Sequence, residues 1–326
     1  MGVRSPVNDP HTIAAEAFGP GTRVTSSVRL PGGASRETWA LDVTDPGGGR
    51  HELVLRLGSP GTALQDEGFG GDLESEARLM RAAADAGVPV PEIVACGASY
   101  LLMTRVPGET IPRRILRDDA YATARPRLAA QCGRALAAVH RMPLSSAPRE
   151  EPGDPLPSWR DLLDRLGEPH PVFELALRRL AADRPPASPV SVVHGDFRNG
   201  NLIVGPEGIR AVLDWELAHA GDPLEDLGWL CVKSWRFGSP LPVGGFGHYD
   251  DLIDAYERAG GVPVDREALR WWETFGVLKW GVICVMQTMR HLRGGARSVE
   301  LAAIGRRVCE NEWDLLQMMR ARASRA

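Results

Sequence analysis

Short apolar runs separated by turn residues fill the first third of the chain, and apolar positions at helical spacing fill the rest. Across 22–57 three runs, 24–30, 38–43 and 52–57, are divided by Pro31-Gly32-Gly33 and by a turn at 45–49, which predicts an antiparallel meander. The period then changes. Over 73–86, Leu73, Met80, Ala83 and Ala84 share one helical face, and Gly87 and Pro89 close the helix. Two further strands are expected at 92–96 and 100–104, and Arg105-Val106-Pro107-Gly108 ends the β-rich part. Beyond it helices dominate: 121–140, with Leu128, Cys132, Leu136 and Val139 in register, then 159–166, 172–182, 250–259, 266–292 and 299–320. Trp271, Trp272, Trp280 and Met286 mark 266–292 as a largely buried helix whose aromatics belong to the core. Residues 1–20 read as a loosely held lead-in with a helical patch at 11–18, and 144–157 as a surface loop.

This change of character near residue 104 predicts an α+β chain of two lobes, 1–104 and 105–326, which its 326 residues can supply with a core. Hydrophobic residues at 43% and charged residues at 25% are ordinary for a globular protein, and a net charge of −4 argues against nucleic acid as partner. Cys96, Cys132, Cys231, Cys284 and Cys309 lie far apart without a Cys-x-x-Cys pair, so reduced, buried thiols are expected. The first residues lack an apolar signal core and no run reaches a membrane span, which predicts a cytoplasmic setting and no membrane partner. There is no internal repeat, and the pattern specifies no oligomeric state.

The chemistry concentrates in His194–Glu216, HGDFRNGNLIVGPEGIRAVLDWE. Asp196 follows His-Gly, Asn201 lies five residues on, and Asp214 follows two apolar runs, 202–204 and 209–213, around Gly-Pro-Glu-Gly. Those runs predict a β-hairpin with Asn201 and Asp214 together at one end. Phosphoryl transfer needs such a set: an acid to take a hydroxyl proton, and oxygen ligands to hold Mg²⁺ on nucleotide phosphates. Singly, the same residues also suit a turn, a cap and a loop acid, and His194, Asp196 and Asp214 together could be the metal ligands of a hydrolase. A second pair is expected upstream. Arg56 ends the apolar run 53–55, where a cation needs a partner, and Glu76 falls within the apolar face of the 73–86 helix. Only Lys233 and Lys279 are lysines, so no lysine before residue 233 could take the place of Arg56. The turn 31–38, PGGASRET, is small enough for backbone N–H groups to approach phosphate oxygens, yet it lacks Gly-Lys-Ser/Thr and is not a Walker loop.

His-Gly-Asp, Asn five residues later, and a hairpin ending in Asp-Trp-Glu, followed by Gly221-Asp222-Pro223-Leu224-Glu225-Asp226-Leu227, resemble the aminoglycoside phosphotransferase family, a small-molecule branch of the protein-kinase-like fold. The resemblance spans roughly 22–320 and implies a small antiparallel β-lobe, a hinge and a helical lobe. It also implies transfer of the γ-phosphoryl group of ATP or GTP to a hydroxyl of a small molecule. Asp196 would be the base, Asn201 and Asp214 the Mg²⁺ ligands, and Asp226 a buttress of the catalytic loop. Arg56 and Glu76 would set the phosphates, with arginine replacing the family's usual lysine. Gly32, Gly33, Ala34 and Ser35 would cover the phosphates, and Thr104, Arg105 and Val106 would hold the adenine. The Asp-Trp-Glu-Leu-Ala stretch also resembles the kinase branch fused to acyl-CoA dehydrogenases, which act on hydroxyacyl-CoA. A silent nucleotide-binding pseudokinase is the third reading. Aminoglycosides need an acidic cleft, whereas the segment after the catalytic loop carries Lys233 and Arg236, and 229–249 suits a flexible segment or a substrate lid.

Overall fold

The structure, a computed structural model, describes residues 9–30, 37–58, 72–147, 154–294 and 298–323. Helix α1, Pro10–Phe18, starts where the Asp9 carboxylate accepts the Thr12 N–H at 3.1 Å. Strands β1, Arg23–Arg29, β2, Glu37–Thr44, and β3, Arg50–Leu57, follow, then α2, Leu73–Asp85, and the strands β4, Ile93–Gly97, and β5, Tyr100–Thr104. The five strands form one antiparallel sheet in the order β1-β2-β3-β5-β4. Strand period decides what each face meets. Leu53, Leu55 and Leu57 of β3 join Leu41, Val43 and Leu102 beneath Ile13 and Ala14 of α1. Val54 and Met103 face the other way, toward the α2 side of the core with Ala77 and Met80. Arg56 lies two residues from Val54 and so points to α2.

Two expectations need correction here. The described part of the lead-in, residues 9–20, is not loosely held, because Ile13 and Ala14 are fully buried and cover one sheet face. On α2 the inward face is Leu73, Glu76, Ala77, Met80 and Ala83, while Ala84 is exposed.

After β5 the chain runs to α3, Pro112–Arg117, and α4, Arg125–His140. The latter starts later than the apolar pattern predicts, because Pro126 occupies its first turn and a 3₁₀ turn at Asp119–Tyr121 precedes it. Helices α5, Pro155–Leu166, and α6, Pro171–Ala182, lead to β6, Ser191–Val193. The expected hairpin is β7, Leu202–Gly205, with β8, Gly208–Val212, and β9, His219–Gly221, pairs antiparallel with β6. Helices α7, Leu224–Cys231, α8, Tyr249–Arg258, and α9, Arg266–Leu292, form the centre of the helical part. The tail divides into α10, Val299–Gly305, and α11, Val308–Ala323. Where α7 crosses α9, a Cβ at Gly228 would lie 2.6 Å from the Trp272 backbone, so only glycine permits that approach.

The connection between the two parts is clamped to the hairpin. Glu109 and Val204 exchange backbone hydrogen bonds of 2.9 and 3.0 Å, and Arg210 donates to the Pro107 carbonyl at 2.9 Å. The 229–249 segment is packed rather than loose: Val243 and Phe246 are buried, and Gly244 donates its N–H to the Leu230 carbonyl at 3.1 Å. All five cysteines are free; Cys132, Cys231 and Cys284 are buried, Cys96 is half-buried and Cys309 is exposed. Among the described residues no helix is long and apolar enough to cross a membrane.

Candidate active site

β6 delivers the chain into His194-Gly195-Asp196, and the turn there depends on two buried acids from α7. The fully buried Asp226 accepts the N–H groups of His194 and Gly195 at 2.8 and 2.9 Å and meets His140 Nε2 at 3.1 Å. Burial alone would raise its pKa, but the His140 hydrogen bond and charge outweigh that and hold the carboxyl below its ordinary value. His140 also meets the Tyr256 hydroxyl at 2.8 Å, so it is a packed, bridging histidine. Gly195 has φ of 80°, and a Cβ there would run into the Leu217 carbonyl.

The His194 ring is saturated by backbone. Nδ1 accepts the Asp196 N–H at 3.2 Å, which leaves Nε2 to donate to the Leu213 carbonyl at 3.1 Å. Burial drives its pKa down, in keeping with a neutral ring. No lone pair is left for a metal, so the hydrolase reading loses its first ligand. Among the described residues no group of three His, Cys, Asp or Glu side chains is arranged to hold a metal ion.

Asp196 is oriented by three donors. Asn201 Nδ2 reaches its carbonyl at 2.9 Å and its Oδ2 at 2.6 Å, Trp229 Nε1 reaches Oδ1 at 2.7 Å, and Arg198 Nε lies 3.0 and 3.3 Å from the two carboxylate oxygens. Trp229 is 2% exposed, whereas Arg198 is partly exposed and lies over the Trp235 ring at 4.6 Å. Sequence reasoning missed both. Arg198 sits two residues from Asp196 and was there to be found, but nothing links Trp229 to it across 33 residues of sequence.

The upstream pair meets this centre from the other side. Arg56 Nη1 hydrogen-bonds Glu76 Oε1, and its Nη2 donates to Asp214 Oδ1 at 3.1 Å. Glu76 is fully buried as a side chain and Arg56 is 17% exposed. Burial opposes the cation, yet Glu76, Asp214 and Glu216 outweigh it and raise its pKa. The same exchange lowers the pKa of Asp214: burial opposes ionisation, and the charges of Arg56 and Arg198 outweigh it. Asp214 has φ of 68°, a left-handed conformation rare outside glycine, and that turn lies between β8 and the 3₁₀ turn Trp215–Leu217. The Leu213 N–H bonds the Asn201 carbonyl at 2.8 Å, so the hairpin end brings Asn201 beside Asp214 as its length predicts.

Because the Asn201 amide nitrogen is committed to Asp196, its side-chain oxygen is the atom left for a cation. One carboxylate and one amide oxygen fit Mg²⁺, which keeps waters and phosphate oxygens in its remaining positions. Of the expected adenine contacts, the Thr104 and Arg105 N–H groups are spent on the Glu92 and Glu52 carbonyls, each at 2.9 Å. The Arg105 side chain pairs with Asp42 and Glu52. Gly32, Gly33, Ala34 and Ser35 lie outside the described residues.

Behind the base sits one of the two lysines. The buried Lys279 donates to the Gly195 carbonyl at 3.1 Å and to Glu225 at 3.0 Å, and its ammonium lies 4.8 Å from the Trp229 ring centre. Glu225 also meets His219 at 3.2 Å. The other lysine, Lys233, pairs with Asp314 at 2.5 Å, and Arg236 pairs with the buried Glu273 at 2.7 Å. The two cations that mark the segment after the catalytic loop are thus each paired with an acid.

Comparison with known proteins agrees with this geometry. The model of the phosphotransferase enzyme family matches residues 27–272. The viomycin phosphotransferase of Streptomyces vinaceus is 30% identical over 201 residues, 53% of this chain and 68% of that protein. The mouse (Mus musculus) acyl-CoA dehydrogenase family member 10 is 30% identical over 248 residues, 68% of this chain; the chain spans only 22% of that relative. Among solved structures, a spectinomycin phosphotransferase in complex with ADP and spectinomycin superposes with a TM-score of 0.65 at 14% identity, covering 96% of this chain and 100% of that one. At that identity the likeness establishes a shared kinase-like fold and no more. Through its family match and its catalytic-loop sequence, this chain belongs to the phosphotransferase enzyme family.

Proposed function

We propose that the protein is an Mg²⁺-dependent kinase that transfers the γ-phosphoryl group of ATP to a hydroxyl of a small molecule. The observation that carries this reading is the guanidinium of Arg56, which joins Glu76 of α2 to Asp214 at the hairpin end. Three distant segments are thereby held at one point beside Asp196, and such convergence serves a polyphosphate better than it serves stability. The ADP-bound relative supports nucleotide use.

In this reading Asp196 orients the acceptor hydroxyl and takes its proton late, as the new oxygen–phosphorus bond forms and the bond to the β-phosphate oxygen breaks, releasing ADP. Arg56 offsets phosphate charge, and its planar fork holds the two carboxylates from separate nitrogens in a fixed geometry, where a lysine would offer one flexible point charge. Asn201 and Asp214 would hold Mg²⁺, whose contribution when bound is to neutralise charge on the phosphates. Arg198, the most exposed donor on Asp196, yields its place to the incoming hydroxyl. Val106 offers the hinge donor, since among the described residues its N–H meets no acceptor.

ATP consumption measured across aminoglycosides, macrolides, sugars, amino alcohols and hydroxyacyl thioesters, with Asp196→Asn beside the parent, tests the proposal. Acceptor-dependent ADP release by the parent alone is expected. Release that the variant retains would remove Asp196 from the reaction.

A further inference from the structure

A cavity of about 420 Å³ opens between α3, the first turn of α4 and the 237–246 segment. Its size is that of a small-ligand pocket. Leu116, Phe237, Leu241 and Phe246 supply apolar wall, and Arg117 and Arg125 supply charge. Among the described residues no carboxylate lines it. Among the described residues Arg117 pairs with no acid, and Arg125 spends only Nη1, on the carbonyls of Ile115 and Asp118 at 3.2 and 2.8 Å. Two guanidinium groups are thus left with donors to offer.

Two further observations tie this cavity to the reaction centre. Asn199, three residues after Asp196 and 1% exposed, donates Nδ2 to the Gly244 carbonyl at 2.7 Å, so the catalytic loop grips the segment that forms the cavity wall. Among the described residues the buried Asn199 Oδ1 atom meets no donor. Phe237 has φ of 48°, a conformation that a bulky side chain adopts only when its surroundings impose it. On the α3 side, a Cβ at Gly200 would lie 3.6 Å from Pro112, so α3 also abuts the catalytic loop.

We propose that this cavity holds the non-reacting end of the acceptor, and that this end is an apolar chain or ring bearing an anionic group, a carboxylate or a phosphate, seated on Arg117 and Arg125. The inference rests on the kinase reading above and narrows it: a polycationic acceptor would meet two guanidinium groups and no acid in this cavity. An arginine fork matches a carboxylate or phosphate oxygen pair.

The test uses three probes of equal chain length: ω-hydroxydecanoate, its methyl ester and ω-aminodecanol. Binding to the full chain is measured by calorimetry without nucleotide, and phosphoryl transfer from ATP is measured separately. The carboxylate is expected to bind about tenfold or more tighter than the ester, with the amine weakest. Arg117→Glu is expected to abolish that preference at unchanged melting temperature, because Arg117 is exposed and among the described residues pairs with no acid. Arg125→Gln serves as the second variant and is expected to reduce the preference. Replacing the carboxylate by an ω-hydroxyalkyl phosphate distinguishes the two anions. Equal binding of acid, ester and amine, or a preference that survives Arg117→Glu, overturns the subsite. Charge-selective binding together with no acceptor-dependent ADP release from any of the acceptor classes screened above would sink the kinase reading and leave the subsite standing, whereas transfer to ester and acid alike would do the reverse.

Discussion

Asp196 accepts more hydrogen bonds than a free base would, and that fixes which single changes should matter. Asp196→Asn is expected to lower kcat by ~10²–10⁴ while ATP affinity stays within about twofold, because the side chain faces the acceptor. Trp229→Phe keeps the ring over Lys279 and removes only the donor to Oδ1. A hydrogen bond to a charged group contributes roughly 1.5–3 kcal/mol, so kcat should fall about tenfold or more with KM for ATP unchanged. A parallel fall in melting temperature with no change in kcat would assign Trp229 to packing alone. Arg56→Ala strips the counter-charge from the buried Glu76, which costs roughly 3–5 kcal/mol in a buried pair. Stability and activity should fall together there. Arg56→Lys should keep the fold but weaken ATP use, since one ammonium replaces a fork that spans Glu76 and Asp214.

At the scale of elements, α7 holds the catalytic turn through adjacent acids with different partners. Glu225 is buried, which would raise its pKa, but Lys279 and His219 outweigh this and bring it down to about 2 from an ordinary 4.5. A depressed carboxyl stabilises the fold above its ordinary pKa and loses that contribution as pH falls toward 2, a loss of about 3 kcal/mol. His219 runs the other way: burial lowers its pKa, Glu225 raises it more, and its contribution is complete below 6.5 and lost as pH climbs through the raised value. Melting temperature against pH should therefore peak between these limits, and Glu225→Gln should flatten the acid limb. An unchanged acid slope in the variant would show that other carboxylates govern it. Elements of this kind were legible in the sequence where one local pattern suffices, as in the hairpin around Gly-Pro-Glu-Gly and the α2 face that contains Glu76. What was not legible is what each element packs on. The amphipathic patch of α1 does not reveal that Ile13 and Ala14 cover the sheet, and nothing near Lys279 reveals that it reaches the Gly195 carbonyl, 84 residues earlier in the chain. Periodicity gives the inward face of an element but not its partner.

For the whole molecule, the two lobes meet where Arg56 reaches Asp214 and where the Val212 N–H donates to the Pro89 carbonyl at 2.8 Å, so a nucleotide held between them should stabilise the entire fold. Ligand that binds only the native state adds about 2.7 kcal/mol at a hundredfold excess over Kd, enough to move the melting temperature by several degrees. If Asn201 and Asp214 act through Mg²⁺, the shift produced by ATP should grow when Mg²⁺ is added and shrink again in excess chelator. Asp214→Ala should lose that increment. It should also release Arg56 from one of its two carboxylates, so the variant needs its own nucleotide-free baseline. Asn201→Ala should lose less, since an amide is a neutral ligand, but it also frees Asp196 Oδ2 and should depress kcat beyond its effect on the shift. An ATP shift of equal size with Mg²⁺ and with chelator would remove the metal from Asn201 and Asp214, and Arg56 alone would then have to answer the phosphate charge.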